Sequence, residues 1–116
     1  MKIYINNPKE NWVVDRFVEE WISYNRHLHT DKIKEADLIW IISPWTWKRL
    51  PKKILQQKKV ICTIHHIDES KFDNSEKKDF LKRDKVVDIY HCISHKTEEQ
   101  VKRKTRKKTF NLPFWA

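Results

Sequence analysis

The sequence contains no glycine, although an average composition of about 7% would place roughly eight in a chain of 116 residues. Phosphate-binding loops of the GxGxxG and GxxxxGK[ST] types are therefore excluded. Any backbone position that needs a positive φ must be occupied by a residue with a side chain. We expect asparagine, aspartate or histidine at such positions.

Long apolar runs are also missing. No segment approaches the roughly 20 apolar residues of a transmembrane helix. Polar residues in segment 1–14 (MKIYINNPKENWVV) interrupt the apolar stretch that a secretory signal needs. Cysteine is scarce, and Cys62 and Cys92 both lie in apolar runs. We therefore predict reduced core thiols in a cytoplasmic protein, with a disulfide between neighbouring strands as the alternative.

Positive charge is in excess. The chain has 25 Lys and Arg against 16 Asp and Glu, a formal net charge of +9, with 39% hydrophobic and 12% aromatic residues. This composition is basic but compatible with a folded core. A chain of 116 residues can bury one core, so a complete two-domain enzyme is excluded and residues 1–116 are expected to form a single domain.

Apolar runs with strand character alternate with segments of helical periodicity. This alternation predicts an α/β fold, a Rossmann-like parallel sheet sandwiched by helices on both faces. A short strand at 27–30 and a turn or short helix at 32–36 are also expected. The predicted strands are residues 2–6, 37–43, 59–64, 86–94 and 108–112, and the predicted helices cover about 11–25, 51–57, 75–85 and 95–104.

Polar residues follow several of these strands. Ligands of open parallel sheets bind beyond the carboxyl ends of the strands, near the point where the strand order reverses. Amides, hydroxyls, an indole and imidazoles would meet there, which predicts a site for a polyol. The alternative is that these side chains only cap strands and helices. The residues concerned are Asn6, Asn7, Ser43, Trp45, His65, His66, Ser94 and His95.

His65 and His66 are the leading candidates for catalysis. Adjacent residues that leave a strand point in different directions, so one imidazole should face the crevice and hold a hydroxyl or phosphate. A structural histidine in a turn is the alternative. A zinc site built from His65, His66, His91, His95 and the cysteines is not expected, since no Cys-x₂-Cys spacing occurs.

Two basic segments suggest contacts with anions. In the first, Trp45 and Trp47 lie beside Lys48, Arg49, Lys52 and Lys53. This combination suits stacking on a sugar or contact with a membrane surface, although Trp47 in the core and Trp45 over the sheet would explain it equally well. The second, residues 102–108 (KRKTRKK), suggests nucleic acid or an anionic membrane, but its place at a helix end without interleaved aromatics favours a solvated basic turn.

Three segments resemble the N-terminal half of GT-B glycosyltransferases, in particular the large family-4 type. Residues 60–65 (VICTIH) are similar to that family's strand ending in Thr-Val-His. Residues 89–101 (IYHCISHKTEEQV) resemble its next strand and Ser-capped helix, and residues 109–115 (TFNLPFW) its exit strand and proline turn. The sequence departs from the family at residues 6–9, where a glycine-rich turn is usual, and at Phe114-Trp115, where Asn-Gly is usual.

The resemblance implies a GT-B half-domain that binds the acceptor, while a C-terminal donor-binding domain, absent from the chain, would bind the nucleotide-sugar. His65 would contact the transferred sugar or its phosphate, with His66 as the neighbouring candidate. Asn6 and Asn7 would line the acceptor side. Ser94 and Lys96 would lie near the floor of the cleft. No metal or cofactor is required.

The implied partners are a nucleotide-sugar donor, held by a separate domain, and a sugar or lipid-linked acceptor. The face around Trp45, Lys48 and Arg49 would allow peripheral contact with the inner face of a membrane, and a sheet edge left by a missing domain would allow self-association. The alternative function is a non-enzymatic basic α/β module that binds nucleic acid or another polyanion. We do not expect nucleic acid as a partner in the leading hypothesis.

Overall fold

The computed structural model describes residues 1–9 and 13–113, and in this part of the chain five β-strands alternate with four α-helices. The predicted α/β class with a parallel sheet is confirmed. Residues 11 and 12 of the first predicted helix and the Phe114-Trp115 pair lie outside the described residues. The elements are β1 (Ile3–Asn6), α1 (Val13–Tyr24), a 3₁₀-helix (Ile33–Glu35), β2 (Leu38–Ile41), a 3₁₀-helix (Pro44–Arg49), α2 (Lys52–Gln57), β3 (Lys59–Ile64), a 3₁₀-helix (Glu69–Lys71), α3 (Asn74–Asp84), β4 (Ile89–Cys92), α4 (His95–Lys102) and β5 (Lys108–Asn111).

The strands lie in the order β1-β2-β3-β4-β5, and every neighbouring pair is parallel. The edge of β1 that faces away from β2 carries one more parallel bridge, between Ile3 and His29. The Ile3 amide donates to the Leu28 carbonyl at 2.6 Å, and the Thr30 amide donates to the Ile3 carbonyl at 3.0 Å. The chain thus touches the outer edge of β1 at His29 before it enters β2 on the other edge, while the five strands themselves follow sequence order. The strand predicted at 27–30 is reduced to this bridge.

Each face of the sheet has its own core, because alternate side chains of a strand point to opposite faces. Trp40 of β2 packs against α1, with its ring centroid 5.9 Å from that of Phe17 and 5.6 Å from that of Trp21. Ile39 and Ile41 point to the other face and join the larger core. The helices that contribute to this larger core do so through Leu55 of α2, Phe80 of α3 and Val101 of α4. Helices on both faces, as predicted, therefore enclose the sheet.

The predicted helix at 51–57 begins where the sequence indicated. Pro51 has no N–H to extend a helical ladder, and α2 starts directly after it. The residues before Pro51 form the 3₁₀-helix Pro44–Arg49, which ends where the Leu50 amide donates to the Trp47 carbonyl at 3.2 Å. This segment follows β2 at the carboxyl edge of the sheet.

The boundaries of β4 and α4 follow from local hydrogen bonds. The predicted strand at 86–94 is shorter, because the amides of Val86 and Val87 donate to the carbonyl of Arg83 and close the end of α3. Ser94 caps α4 as predicted: its Oγ accepts from the amide of Thr97 at 3.1 Å.

The single positive φ among the described residues is 56° at Lys9. The prediction that asparagine, aspartate or histidine would take such a position is wrong here. The neighbouring Asn7 supports the turn instead, since its Oδ1 accepts from the Lys9 amide at 2.9 Å. The turn that follows β1 therefore closes without glycine, at the steric cost of a lysine in the left-handed region.

Both cysteines are buried free thiols, as the sequence predicted for the core. Burial raises the pKa of the Cys62 thiol to about 11, although Arg83 nearby acts in the opposite direction. Burial likewise raises the pKa of the Cys92 thiol to about 11. Neither thiol carries the thiolate character that nucleophilic or redox chemistry requires.

Candidate functional site

Two clefts meet at the carboxyl edge of the sheet, on either side of the loop that leaves β3. The α3 cleft, about 560 Å³, lies between the Pro44–Arg49 segment and α3. The α4 cleft, about 660 Å³, lies between residues 65–70 and the first turns of α4. His65 and His66 line both. The paired histidines therefore stand at the centre of the candidate site.

Several predicted site residues line these clefts. Ser43, Trp45 and Lys48 line the α3 cleft, while Ser94 and Lys96 line the α4 cleft. The sheet brings them together because β2, β3 and β4 are neighbouring parallel strands whose carboxyl ends share one edge. The predicted residues that line neither cleft are Asn6, Asn7, Arg49, Lys52, Lys53 and His95.

His65 and His66 differ in environment, as the sequence indicated for adjacent residues at a strand end. His65 is half-buried, and its Nε2 lies 2.8 Å from the carbonyl oxygen of Ile42. A carbonyl only accepts, so Nε2–H donates and this bond sets the ring orientation. Burial lowers the pKa of His65 and the neighbouring His66 acts in the same direction, although the bond to Ile42 opposes them. His66 is exposed and is the imidazole more accessible to a ligand.

Asn6 holds the main chain at the carboxyl end of β1. It is buried, and its Nδ2 donates to Thr46 Oγ1 at 2.9 Å and to the Thr46 carbonyl at 3.3 Å. Arg49 donates to the Pro8 carbonyl at 3.3 Å across the same gap. These bonds tie the turn after β1 to the Pro44–Arg49 segment. Asn6 thereby positions one wall of the α3 cleft from outside it.

Trp45 and Trp47 have different surroundings. Trp45 is 46% exposed, and the Arg49 guanidinium lies 4.4 Å from its ring centroid. Trp47 packs against the larger core. Lys48 pairs with Asp79 of α3 at 3.1 Å, which spans the α3 cleft. The exposed indole of Trp45 is therefore the one suited to a flat ligand.

Sequence reasoning missed the role of His91, which it considered only as a metal ligand. Trp40 Nε1 donates to Thr63 Oγ1 at 2.8 Å, Thr63 Oγ1 lies 3.0 Å from His91 Nδ1, and His91 Nε2 donates to the Leu112 carbonyl at 2.6 Å. The ring also stacks on Phe110 with centroids 5.1 Å apart. Burial lowers the pKa of His91, so this polar chain, which crosses β2, β3 and β4, holds a neutral imidazole.

The lowered pKa values of His65 and His91 predict that the fold loses stability in mild acid. The unfolded chain protonates these groups near their ordinary value of 6.5, whereas the folded state resists protonation. The unfolded state therefore binds more protons, and the free energy of unfolding falls as the pH drops through 6.5 toward the folded pKa values. Urea unfolding at pH 7.5 and 5.5 should give a lower midpoint at 5.5, and His91→Gln should reduce the difference. Equal pH dependence in both proteins would contradict this assignment.

Sequence reasoning also missed Arg83, a buried residue that lines the α3 cleft. A signal was available, since Arg83 follows Phe80 by three residues and therefore shares its helix face. However, arginine is rarely buried without a partner, so the sequence alone does not indicate that Arg83 is buried beside Phe80.

The basic segment 102–108 is only partly solvated. Lys102 lies 3.9 Å from Glu98, Lys104 pairs with Glu69, and Lys107 donates to the Val87 carbonyl at 2.7 Å. Arg103, Arg106 and Lys108 are exposed. The described cations of this segment thus do not form one uninterrupted surface.

Within residues 1–9 and 13–113, no helix has the length and apolar character needed to cross a bilayer, and no three His, Cys, Asp or Glu side chains are grouped so that they could hold a metal ion. Comparison of the chain with protein-family models, with curated proteins and with solved structures gave no match. The functional argument therefore rests on the geometry of the clefts.

Proposed function

We propose that this chain is the acceptor-binding domain of a GT-B glycosyltransferase and that the α3 cleft holds a sugar or another polyol. The observation that carries the proposal is the meeting of an exposed indole and two imidazoles at the carboxyl edge of a parallel sheet. The donor nucleotide-sugar would be held by a separate domain or partner. The acceptor would be a sugar or a lipid-linked sugar.

The side chains around the α3 cleft suit a polyol. The face of Trp45 offers a flat apolar surface for the C–H face of a sugar ring. His66 and Ser43 line the same cleft and offer groups that exchange hydrogen bonds with hydroxyls. A pocket with apolar walls and a few polar groups is the usual form of a small-molecule site.

The two histidines have separate roles in this proposal. His65 is held by the Ile42 carbonyl through Nε2, so it fixes the main chain that leaves β3. His66, which is exposed, contacts the acceptor and supplies the imidazole for proton transfer or for a hydrogen bond to the transferred sugar. Ser94 and Lys96 border the second cleft, where the donor phosphates would approach.

The alternative, a polyanion-binding module, has less support. It needs a continuous cationic surface, whereas Lys102, Lys104 and Lys107 are each engaged by groups of the protein itself. Membrane contact through Trp45, Lys48 and Arg49 remains part of the proposal, although Lys48 pairs with Asp79 and Arg49 stacks on Trp45.

Saccharide titration tests the proposed function. Glucose, N-acetylglucosamine and a disaccharide are added while NMR follows the Trp45 indole and the His66 ring. Both should shift saturably, and Trp45→Ala should weaken the affinity about three- to tenfold, which corresponds to the loss of one aromatic contact.

Tyr24→Ala is the matched control, because Tyr24 is an aromatic residue with 84% exposure that lines neither cleft. It should leave saccharide binding unchanged. If no saccharide shifts Trp45 or His66 while a single-stranded oligonucleotide binds with steep salt dependence, the alternative function replaces the proposed one.

A further inference from the structure

Arg83 is a buried cation without a buried anion. Its side chain lies on α3, the residue is 9% exposed, and its Nε has no hydrogen-bond partner among the described residues. None of the salt bridges in the described ranges involves it. The adjacent carboxylate is directed elsewhere: Asp84 Oδ1 accepts from the hydroxyls of Tyr90 and Thr105, each at 2.7 Å, and forms no salt bridge with Arg83.

Two aromatic rings hold the guanidinium without satisfying its N–H groups. Its central carbon lies 4.8 Å from the ring centroid of Phe80 and 6.0 Å from that of Tyr90. Rings beside a guanidinium attract its charge but do not accept the in-plane hydrogen bonds of its five donors. Burying an ion costs several kcal/mol when no counter-charge accompanies it. An anion would satisfy both the buried charge and the unpartnered Nε–H.

The α3 cleft gives such an anion a route to Arg83. Lys48 and Lys71 line the same cleft and add positive charge. Among its acids, Asp79 is paired with Lys48, and Asp68 accepts from the Ser70 hydroxyl at 2.6 Å. The remaining acid, Glu76, lies two turns from Arg83 along α3, about 10 Å of helix. Asp79 lies one turn before Arg83 but pairs with Lys48, and Arg83 is the buried charge among the described residues that line the cleft.

We propose that Arg83 forms an oxyanion subsite in the α3 cleft that binds a phosphoryl group of the ligand. A guanidinium offers two parallel N–H donors whose spacing matches the oxygens of a phosphate. The rings of Phe80 and Tyr90 keep the guanidinium in place. This inference goes beyond the proposed function, because it concerns phosphate and applies to any ligand of the cleft. Together with a polyol at Trp45, it describes a phosphorylated sugar.

Thermal unfolding with inorganic phosphate tests the subsite, with chloride used to keep the ionic strength constant. The wild-type midpoint should rise saturably, by about 5 °C when phosphate exceeds its Kd tenfold. Arg83→Met keeps most of the side-chain volume and should abolish the rise. In chloride alone this variant should be at least as stable as the wild type, because an unpaired buried charge has been removed. Arg83→Lys keeps the charge without the fork and should retain only part of the response.

Arg103→Met is the matched control, since Arg103 is an exposed arginine at the end of α4. It should respond to phosphate as the wild type does. An equal phosphate response in Arg83→Met, or a wild-type response no larger than that to chloride, would overturn the proposal.

If Arg83→Met does not fold, the Arg83 Nε–H resonance of the wild type decides: a saturable shift with phosphate supports the subsite, and an unchanged resonance refutes it. Saccharide titrations of Arg83→Met, or of Arg83→Lys if Arg83→Met does not fold, separate failure of the subsite from failure of the polyol site at Trp45.

Discussion

Replacing Phe80 with alanine is expected to lower the free energy of unfolding by about 3–5 kcal/mol. Phe80 is 4% exposed and stacks on Tyr90 of β4, with centroids 5.7 Å apart and planes inclined by 13°. Its ring also meets Phe72 edge-on at 6.2 Å and lies under the Arg83 guanidinium. The substitution would open a cavity between α3 and the sheet and remove one of the two rings that hold Arg83.

Urea unfolding measures this effect, with Leu81→Ala as the control. Leu81 is the next residue of α3 but is 52% exposed, so its truncation should change stability by less than about 0.5 kcal/mol. Comparable losses in the two variants would mean that α3 does not pack on the sheet through Phe80. Phe80→Ala should also weaken the phosphate response, because Arg83 loses the surface against which it is held.

Replacing Thr63 with valine is expected to destabilise the protein by about 2–4 kcal/mol without changing the side-chain shape. Thr63 is fully buried and lies between Trp40 and His91. Valine would leave the indole N–H of Trp40 without its acceptor and His91 Nδ1 without the hydroxyl it faces. The cost arises from two unsatisfied polar groups, since the packing volume is nearly conserved.

Thr63→Ser distinguishes the contribution of the hydroxyl to stability from that of the methyl group. It keeps both hydrogen bonds and removes one methyl, so it should cost only about 1 kcal/mol. Hydrogen exchange at the Trp40 indole provides a second measurement: the proton should exchange faster in Thr63→Val than in Thr63→Ser. Equal losses of stability in the two variants would show that the polar chain contributes little.

These two substitutions address opposite faces of the sheet. Phe80 belongs to the core beneath the α3 cleft, whereas Thr63 belongs to the polar chain on the face covered by α1. Their effects should therefore be nearly additive in the double variant, because they share no contact. Phe80 lines the α3 cleft, whereas Thr63 does not.

Local patterns accounted for much of the fold. Apolar runs such as residues 59–64 became buried parallel strands, because a strand covered on both faces buries mainly apolar side chains. Ser94 capped α4, and Pro51 placed the start of α2. Each of these features depends on a few consecutive residues, so it can be read from the sequence without knowledge of the neighbours in space. The absence of glycine likewise excluded glycine-rich phosphate loops directly. It did not identify the residue with a positive φ, which is Lys9 rather than Asn, Asp or His.

The site depended on contacts between distant parts of the chain. Asn6 was predicted to line the acceptor side, but its role in the structure is set by Thr46, 40 residues away. His91 acquired partners from β3 and from the residue after β5. No local pattern encodes such pairings, because they follow from the order of the strands.

The sequence by itself determined that this is a basic, glycine-free α/β chain with histidines at the end of a central strand. Only the tertiary structure decided which side chains are exposed and which are fixed by hydrogen bonds or packing. The contact of His29 with the outer edge of β1 is a single bridge, too short for a sequence pattern to define. The burial of Arg83 was decided by its packing against Phe80 and Tyr90. On a solvated helix face, water would satisfy the same guanidinium and no anion would be needed.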